Sequence, residues 1–123
     1  MHVEQVDFVT VPTRDTARAV AWYRDVLGLP ESEYSEGEIE TPNVTLSFWA
    51  PESEGEVFRA NEAGIAFRVA AVETAVEEVR AAGGVVVGVE DTGVCLMGFV
   101  KDPDGNVLIL HRRYAPRRRR GEA

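Results

Sequence analysis

The chain repeats one plan at an offset of 56 residues, and this repeat limits the folds open to it more than any other feature. Phe8 falls on Gly64, Val11 on Phe67, Ala19 on Ala75 and Gly28 on Gly84. In the first copy, residues 3–11 read as a strand with apolar groups on both faces, as in a strand covered on both sides. Asp15 is placed to cap a helix over residues 16–27, in which Val20, Tyr23 and Leu27 share a face. Gly28 suits the left-handed residue that closes such a helix, and Pro30 cannot continue it. Acidic residues alternating with Ser, Tyr and Ile over 31–40 suggest one or two solvent-facing strands around Gly37. Val44, Leu46 and Phe48, alternating with Thr45 and Ser47, give a cleaner strand.

The second copy opens with a strand over 64–69. A helix follows, with Val72, Ala75, Val76 and Val79 on its dry side and Glu73, Glu77, Glu78 and Arg80 on its wet side. Gly83 and Gly84 end that helix, and three strands come after it, at 85–89, 94–100 and 107–110. Asp102-Pro103-Asp104-Gly105 joins the last two as a hairpin: proline presets φ, aspartate bonds nearby backbone and glycine accepts positive φ. A shorter spacing pairs Asn43-Val44 with Asn106-Val107, as if the first half had lost a few residues. The fold class expected is α+β, with two βαβββ units. A single domain spans 1–116, comprising a first unit at 3–50, a polar linker at 51–62 and a second unit at 63–114. Residues 117–123 form a basic, solvated tail.

Charge and composition narrow the partners. The net charge is −8, and residues 1–116 carry 9 basic against 20 acidic groups, because Arg117, Arg118, Arg119 and Arg120 sit together at the end. An acidic body argues against nucleic acid and attracts cationic small molecules at long range. No apolar run approaches the roughly 20 residues that cross a bilayer. The start, Met1-His2-Val3-Glu4-Gln5, does not read as a secretory leader, so a cytoplasmic location is expected. Cys95 is the only cysteine, which excludes an intramolecular disulfide, and its apolar neighbours point to a strand cysteine packed as a small hydrophobe.

Three segments carry a resemblance to a known family: Val6-Asp7-Phe8-Val9-Thr10-Val11-Pro12, then Ala21-Trp22-Tyr23-Arg24-Asp25-Val26-Leu27-Gly28, then Asp102-Pro103-Asp104-Gly105-Asn106. In this order they resemble the vicinal-oxygen-chelate superfamily, which includes glyoxalases, bleomycin-resistance proteins and dioxygenases, over residues 3–114. The resemblance implies that two βαβββ modules curl into a cup-shaped, mostly antiparallel sheet, and that the protein is a homodimer. It implies no single activity, since the superfamily holds isomerases, dioxygenases, epimerases, thiol transferases and drug-binding proteins.

The enzymes of that superfamily mostly hold a divalent metal through His, Glu or Gln at matched strand ends. The resemblance carries those positions onto Phe8, Gly64, Ile109 and, by the match of Asn43 with Asn106, Leu46. None of these can ligate a cation, and divalent metals need several N, O or S donors converging at roughly 2–2.5 Å. No metal and no other cofactor is therefore expected. If Phe8 and Ile109 point inward as the family ligands do, alternation puts Thr10, Val107 and His111 beside them, with Leu46 and Phe48 joining from the strand at 44–48. Trp49, Met97 and Phe99 are further candidate walls. The expected site is an apolar, aromatic cup for a small, partly aromatic or cationic ligand, in the manner of the bleomycin-resistance branch. No catalytic set stands out, although the imidazole of His111 could donate to a ligand or serve as a general base. The alternative is a glyoxalase- or dioxygenase-type enzyme using His111 or a displaced metal.

Overall fold

The two helices lie 56 residues apart at both ends, α1 over Thr16–Asp25 and α2 over Val72–Ala81, so the offset of the sequence is the offset of the structure. The structure is a computed structural model that describes residues 1–117. In the first half, α1 is preceded by β1 (Phe8–Pro12) and followed by β2 (Glu38–Glu40) and β3 (Thr45–Trp49). A 3-10 turn at Pro51–Glu54 and an extended stretch lead to the second half. There β4 (Ile65–Arg68), α2, β5 (Val85–Asp91), β6 (Cys95–Lys101) and β7 (Val107–Arg113) follow in turn. No helix among the described residues is long and apolar enough to cross a membrane.

Both halves pair their strands alike. The first sheet has the order β1-β3-β2 and the second β4-β7-β6-β5. In each, the first strand lies parallel to the last, β1 beside β3 and β4 beside β7, while the remaining pairs are antiparallel. The strand that a complete first half would have after α1 is reduced to one isolated bridge, Glu31 with Ile39. The expected cup-shaped, mostly antiparallel sheet is thus two mixed sheets that do not close on one another. Each mixed sheet follows from a helical crossover, which returns the chain parallel to its first strand.

Local chemistry explains the element ends. Asp15 is extended and its carboxylate accepts from Arg18 N at 3.0 Å, as an N-cap should. Gly28 takes φ +71 after the helix. The first strand is shorter than residues 3–11: β3 ends its register at Thr45 opposite Phe8, so Val3 and Val6 have no strand to pair with and stay exposed. The region around Gly37 also differs from expectation, for Ile39 is fully buried beneath α1 rather than facing solvent.

Each helix covers one face of its sheet. Tyr23 of α1 meets the Phe48 ring edge-on, with centroids 4.8 Å apart. Val72, Val76 and Val79 of α2 settle on β5, β6 and β7. Helix α2 and its sheet touch closely at Gly98, where an added Cβ would stand 2.5 Å from Val76 Cγ2.

Candidate ligand site

Strand alternation assigns every side chain to the helix-covered face or to the open face of its sheet. On the first sheet Val9, Val11, Leu46 and Phe48 pack toward α1. Phe8 and Thr10 take the open face, with Thr45, Ser47 and Trp49 in register beside them. On the second sheet Leu108 and Leu110 pack toward α2, so Val107, Ile109, His111 and Arg113 line the open face. Met97 lies opposite His111 and Phe99 opposite Ile109 on that same face. Cys95, half-buried, lies opposite Arg113.

Of the residues proposed from sequence, Phe8, Thr10 and Trp49 therefore share one open face, and Met97, Phe99, Ile109 and His111 share the other. Leu46 and Phe48 do not join them. Leu46 is 0% exposed and Phe48 stacks on Tyr23, both beneath α1. The error is a one-residue slip. Thr10 pairs with Ser47 as its repeat partner Ala66 pairs with Ile109, so the first-half counterpart of Ile109 is Ser47, not Leu46. One residue of slip moves a side chain to the other face.

The open faces are not equally enclosed. Phe8 is 56% and Trp49 38% exposed, with the Trp49 indole donating to Glu54 at 3.1 Å. Three clefts stand out among the described residues, and Phe8, Thr10, Trp49, Met97, Phe99 and Ile109 line none of these three. One of about 570 Å³ lies beside the start of β1, and one of about 200 Å³ is walled by the acidic stretch before β2. The largest, about 840 Å³, runs between the two halves. It is bounded by Leu27 and Leu29 after α1, by the turn at 41–43, and by the ends of β4 and β7, where His111 lies with Arg68 and Arg113.

The hairpin after β6 does structural rather than chemical work. Its Asp102 Oδ2 accepts the Tyr23 hydroxyl at 2.7 Å and Asn106 Nδ2 at 2.8 Å. Asp104 reaches the junction of β1 and α1, accepting from Thr13 Oγ1 at 2.6 Å, Arg14 N at 2.9 Å and Arg18 at 2.7 Å. Asn106 closes the cluster by donating to Pro12 O at 2.8 Å and accepting from Asn61 N at 2.7 Å. Desolvation first, then the neighbouring Asp102 carboxylate, drives the Tyr23 phenol far above the ordinary tyrosine range. All three recognisable segments thus meet in one joint, through Pro12, Tyr23 and the 102–106 hairpin.

The profile of the glyoxalase/bleomycin resistance protein/dioxygenase superfamily matches residues 5–110. The chain belongs to that superfamily. No curated protein matches it. Among solved structures it resembles TnmS3, an antibiotic-binding protein from Streptomyces sp. CB03234, with 20% identity over 93% of this chain and 99% of the other, at a TM-score of 0.77. A glyoxalase/bleomycin resistance protein/dioxygenase family enzyme from Burkholderia phytofirmans is 21% identical over 88% and 98% of the two chains, at 0.75. Lactoylglutathione lyase from Agrobacterium tumefaciens is 16% identical over 89% and 94%, at 0.72. At these identities the likeness is one of fold.

Within the superfamily the decisive comparison is of donor chemistry. Phe8, Gly64 and Ile109 stand at the expected ligand positions, and Gly64 is so close to Ile109 that an added Cβ would lie 3.0 Å from Ile109 Cδ1. The remaining position, corrected for register, holds Ser47. Among the described residues no three His, Cys, Asp or Glu side chains come together as a metal would need. Phe8, Gly64 and Ile109 carry no side-chain donor, and Ser47 offers a single hydroxyl. Sequence inspection missed Arg68 and Arg113 as pocket residues. Each shares the open face with His111 at spacing two or in register, a signal that becomes readable only once β4 is paired with β7. Arg118, Arg119 and Arg120 of the basic tail lie outside the described residues.

Proposed function

We propose that this superfamily member binds and encloses a small organic molecule, and that it does not perform metal-dependent chemistry at the family position. The observation that carries the proposal is the residue set at matched strand positions: Phe8, Gly64 and Ile109 where relatives place donors, with Trp49, Met97 and Phe99 adding apolar surface beside them. Such surfaces gain by covering apolar guests and offer a cation nothing to replace its water. The likeness to an antibiotic-binding protein supports this reading. Thermal denaturation with a panel of aromatic, cationic and neutral apolar compounds tests it. A true ligand at a hundred times its Kd adds about 2.7 kcal/mol of stability and raises Tm accordingly. No stabilisation by any class, or stoichiometric Zn, Ni, Mn or Fe in the purified protein, overturns the proposal.

The same proposal takes the protein as a homodimer. The exposed Phe8 and Trp49 leave apolar surface that a second copy would cover. Sedimentation equilibrium at micromolar concentration then gives the mass of two chains, and a one-chain mass overturns this part. A lyase- or isomerase-type activity through His111 is the second reading, favoured by the position of that imidazole on the largest cleft.

A further inference from the structure

Among the described residues, all the arginines but Arg59 fall into two groups. Arg14, Arg18, Arg24 and Arg80 each pair with a carboxylate: Glu52, Asp104, Asp25 with Glu31, and Glu77 respectively. Arg68, Arg112, Arg113 and Arg117 all line the 840 Å³ cleft, and none of them forms an ion pair among the described residues. No aspartate or glutamate lines that cleft. A protein with 21 acidic and 13 basic groups has thus gathered cations in one concavity without counter-charges among the described residues. Arg113 adds a sharper sign. One of its terminal nitrogens donates to Pro116 O at 3.1 Å, but its Nε is buried with no partner among the described residues. A buried guanidinium nitrogen without a partner costs free energy that a bound acceptor would return.

The rest of the wall is apolar. Leu27, Leu29 and Pro42 face Phe67, Val69 and Leu110 across the opening. β4 is an edge strand, so alternate backbone N–H groups along it also lack sheet partners. The volume lies within the roughly 300–1,000 Å³ of small-ligand sites.

We propose that this cleft binds a small organic anion, an apolar body bearing a carboxylate, sulfonate or phosphate, with the anionic group held by Arg68 and Arg113 beside His111. Planar guanidinium forks match such oxyanions and hold them by charge-assisted hydrogen bonds. The overall negative charge of the protein acts at long range and the cleft at contact, so the two signs do not conflict. Arg68, His111 and Arg113 lie on the open face of the second sheet, but Met97, Phe99 and Ile109 of that face do not line this cleft, so the two sites are tested separately.

The test is an ¹H–¹⁵N NMR titration of the full chain with naphthalene-2-carboxylate, with its neutral carboxamide, and with inorganic phosphate. The carboxylate is expected to shift the signals of residues 66–69 and 110–113 saturably, the carboxamide to bind at least tenfold more weakly, and phosphate to act at the same signals with lower affinity. Arg113→Gln and the more exposed Arg68→Gln should each weaken carboxylate binding at least fivefold, whereas Arg80→Gln, the same charge change on the far helix, leaves it unaltered. Arg68→Gln keeps the test decisive if Arg113→Gln fails to fold. Equal binding of carboxylate and carboxamide overturns the proposal. So does an undiminished affinity in Arg68→Gln, or no shift at these residues up to about 10 mM, weaker than a specific site requires. Phosphate binding as tight as the carboxylate overturns the apolar half of the assignment. None of these failures touches the open-face reading, because neutral apolar compounds would still stabilise the protein through Phe99 and Ile109.

Discussion

Tyr23 shows how one side chain serves two purposes. Its ring is core, edge-on to Phe48, and its hydroxyl satisfies a carboxylate that would otherwise be buried with one partner fewer. Removing the hydroxyl in Tyr23→Phe leaves the packing and strips Asp102 of a charge-assisted bond, a loss of about 1.5–3 kcal/mol at neutral pH. The pH dependence follows from the direction of the shift. Burial, then Asp102, keeps the phenol protonated in the folded protein at pH values where an unfolded tyrosine ionises. The resulting stability is complete below about pH 10 and is lost above it by about 1.4 kcal/mol per unit. Urea unfolding of both proteins between pH 7 and 11 should show the gap between wild type and Tyr23→Phe narrowing above pH 10. Tyr34 and Tyr114 are common to both and cancel. A gap that stays constant would mean that Tyr23 does not carry the alkaline loss.

The elements differ in how far they could be read from the chain. Helix α2 was fully legible, because the i, i+3, i+4, i+7 spacing of Val72, Ala75, Val76 and Val79 is local and its partners need not be known. The α1 cap at Asp15 and the hairpin at 102–105 were legible for the same reason. The facing of β3 was not. The match of Asn43 with Asn106 is a likeness of composition, whereas facing is set by pairing with β1, which lies more than thirty residues away in the chain. The cleft arginines escaped for the same reason, since nothing local marks Arg68 as a neighbour of His111. The contact of α2 with β6 yields a prediction at this scale. Gly98→Ala puts a methyl 2.5 Å from Val76 Cγ2 and 3.2 Å from Val72 Cγ1, so helix and sheet must part. We expect a loss of about 1–3 kcal/mol, read as a lower Tm, with secondary structure by circular dichroism unchanged. A wild-type Tm would show that the valines turn aside without cost.

At the scale of the whole molecule, the buried side chains of both halves belong to one core cluster, and the hairpin joint adds polar bonds between them. Each helix packs on its own sheet, and no strand of one half pairs with a strand of the other. The polar link between the halves is the cluster of Asp102, Asp104 and Asn106 against Pro12, Thr13, Arg18 and Tyr23. Asn106, 1% exposed, is its centre, and Asn106→Ala leaves Pro12 O and Asn61 N without that partner while Asp102 loses another. The loss should be about 2–4 kcal/mol, since two backbone groups and a carboxylate are left short of bonds. The protein supplies its own probe of coupling, because both tryptophans, Trp22 and Trp49, lie in the first half. Tryptophan fluorescence thus follows the first half alone, while circular dichroism follows both. In wild type the two unfolding curves should coincide, the mark of one cooperative unit. In Asn106→Ala the fluorescence transition should move away from the dichroism transition, because the first half, with one helix and three short strands, loses the support it draws from the second. Coincident curves at the wild-type midpoint would show that the joint is ornamental and that the halves are held together elsewhere.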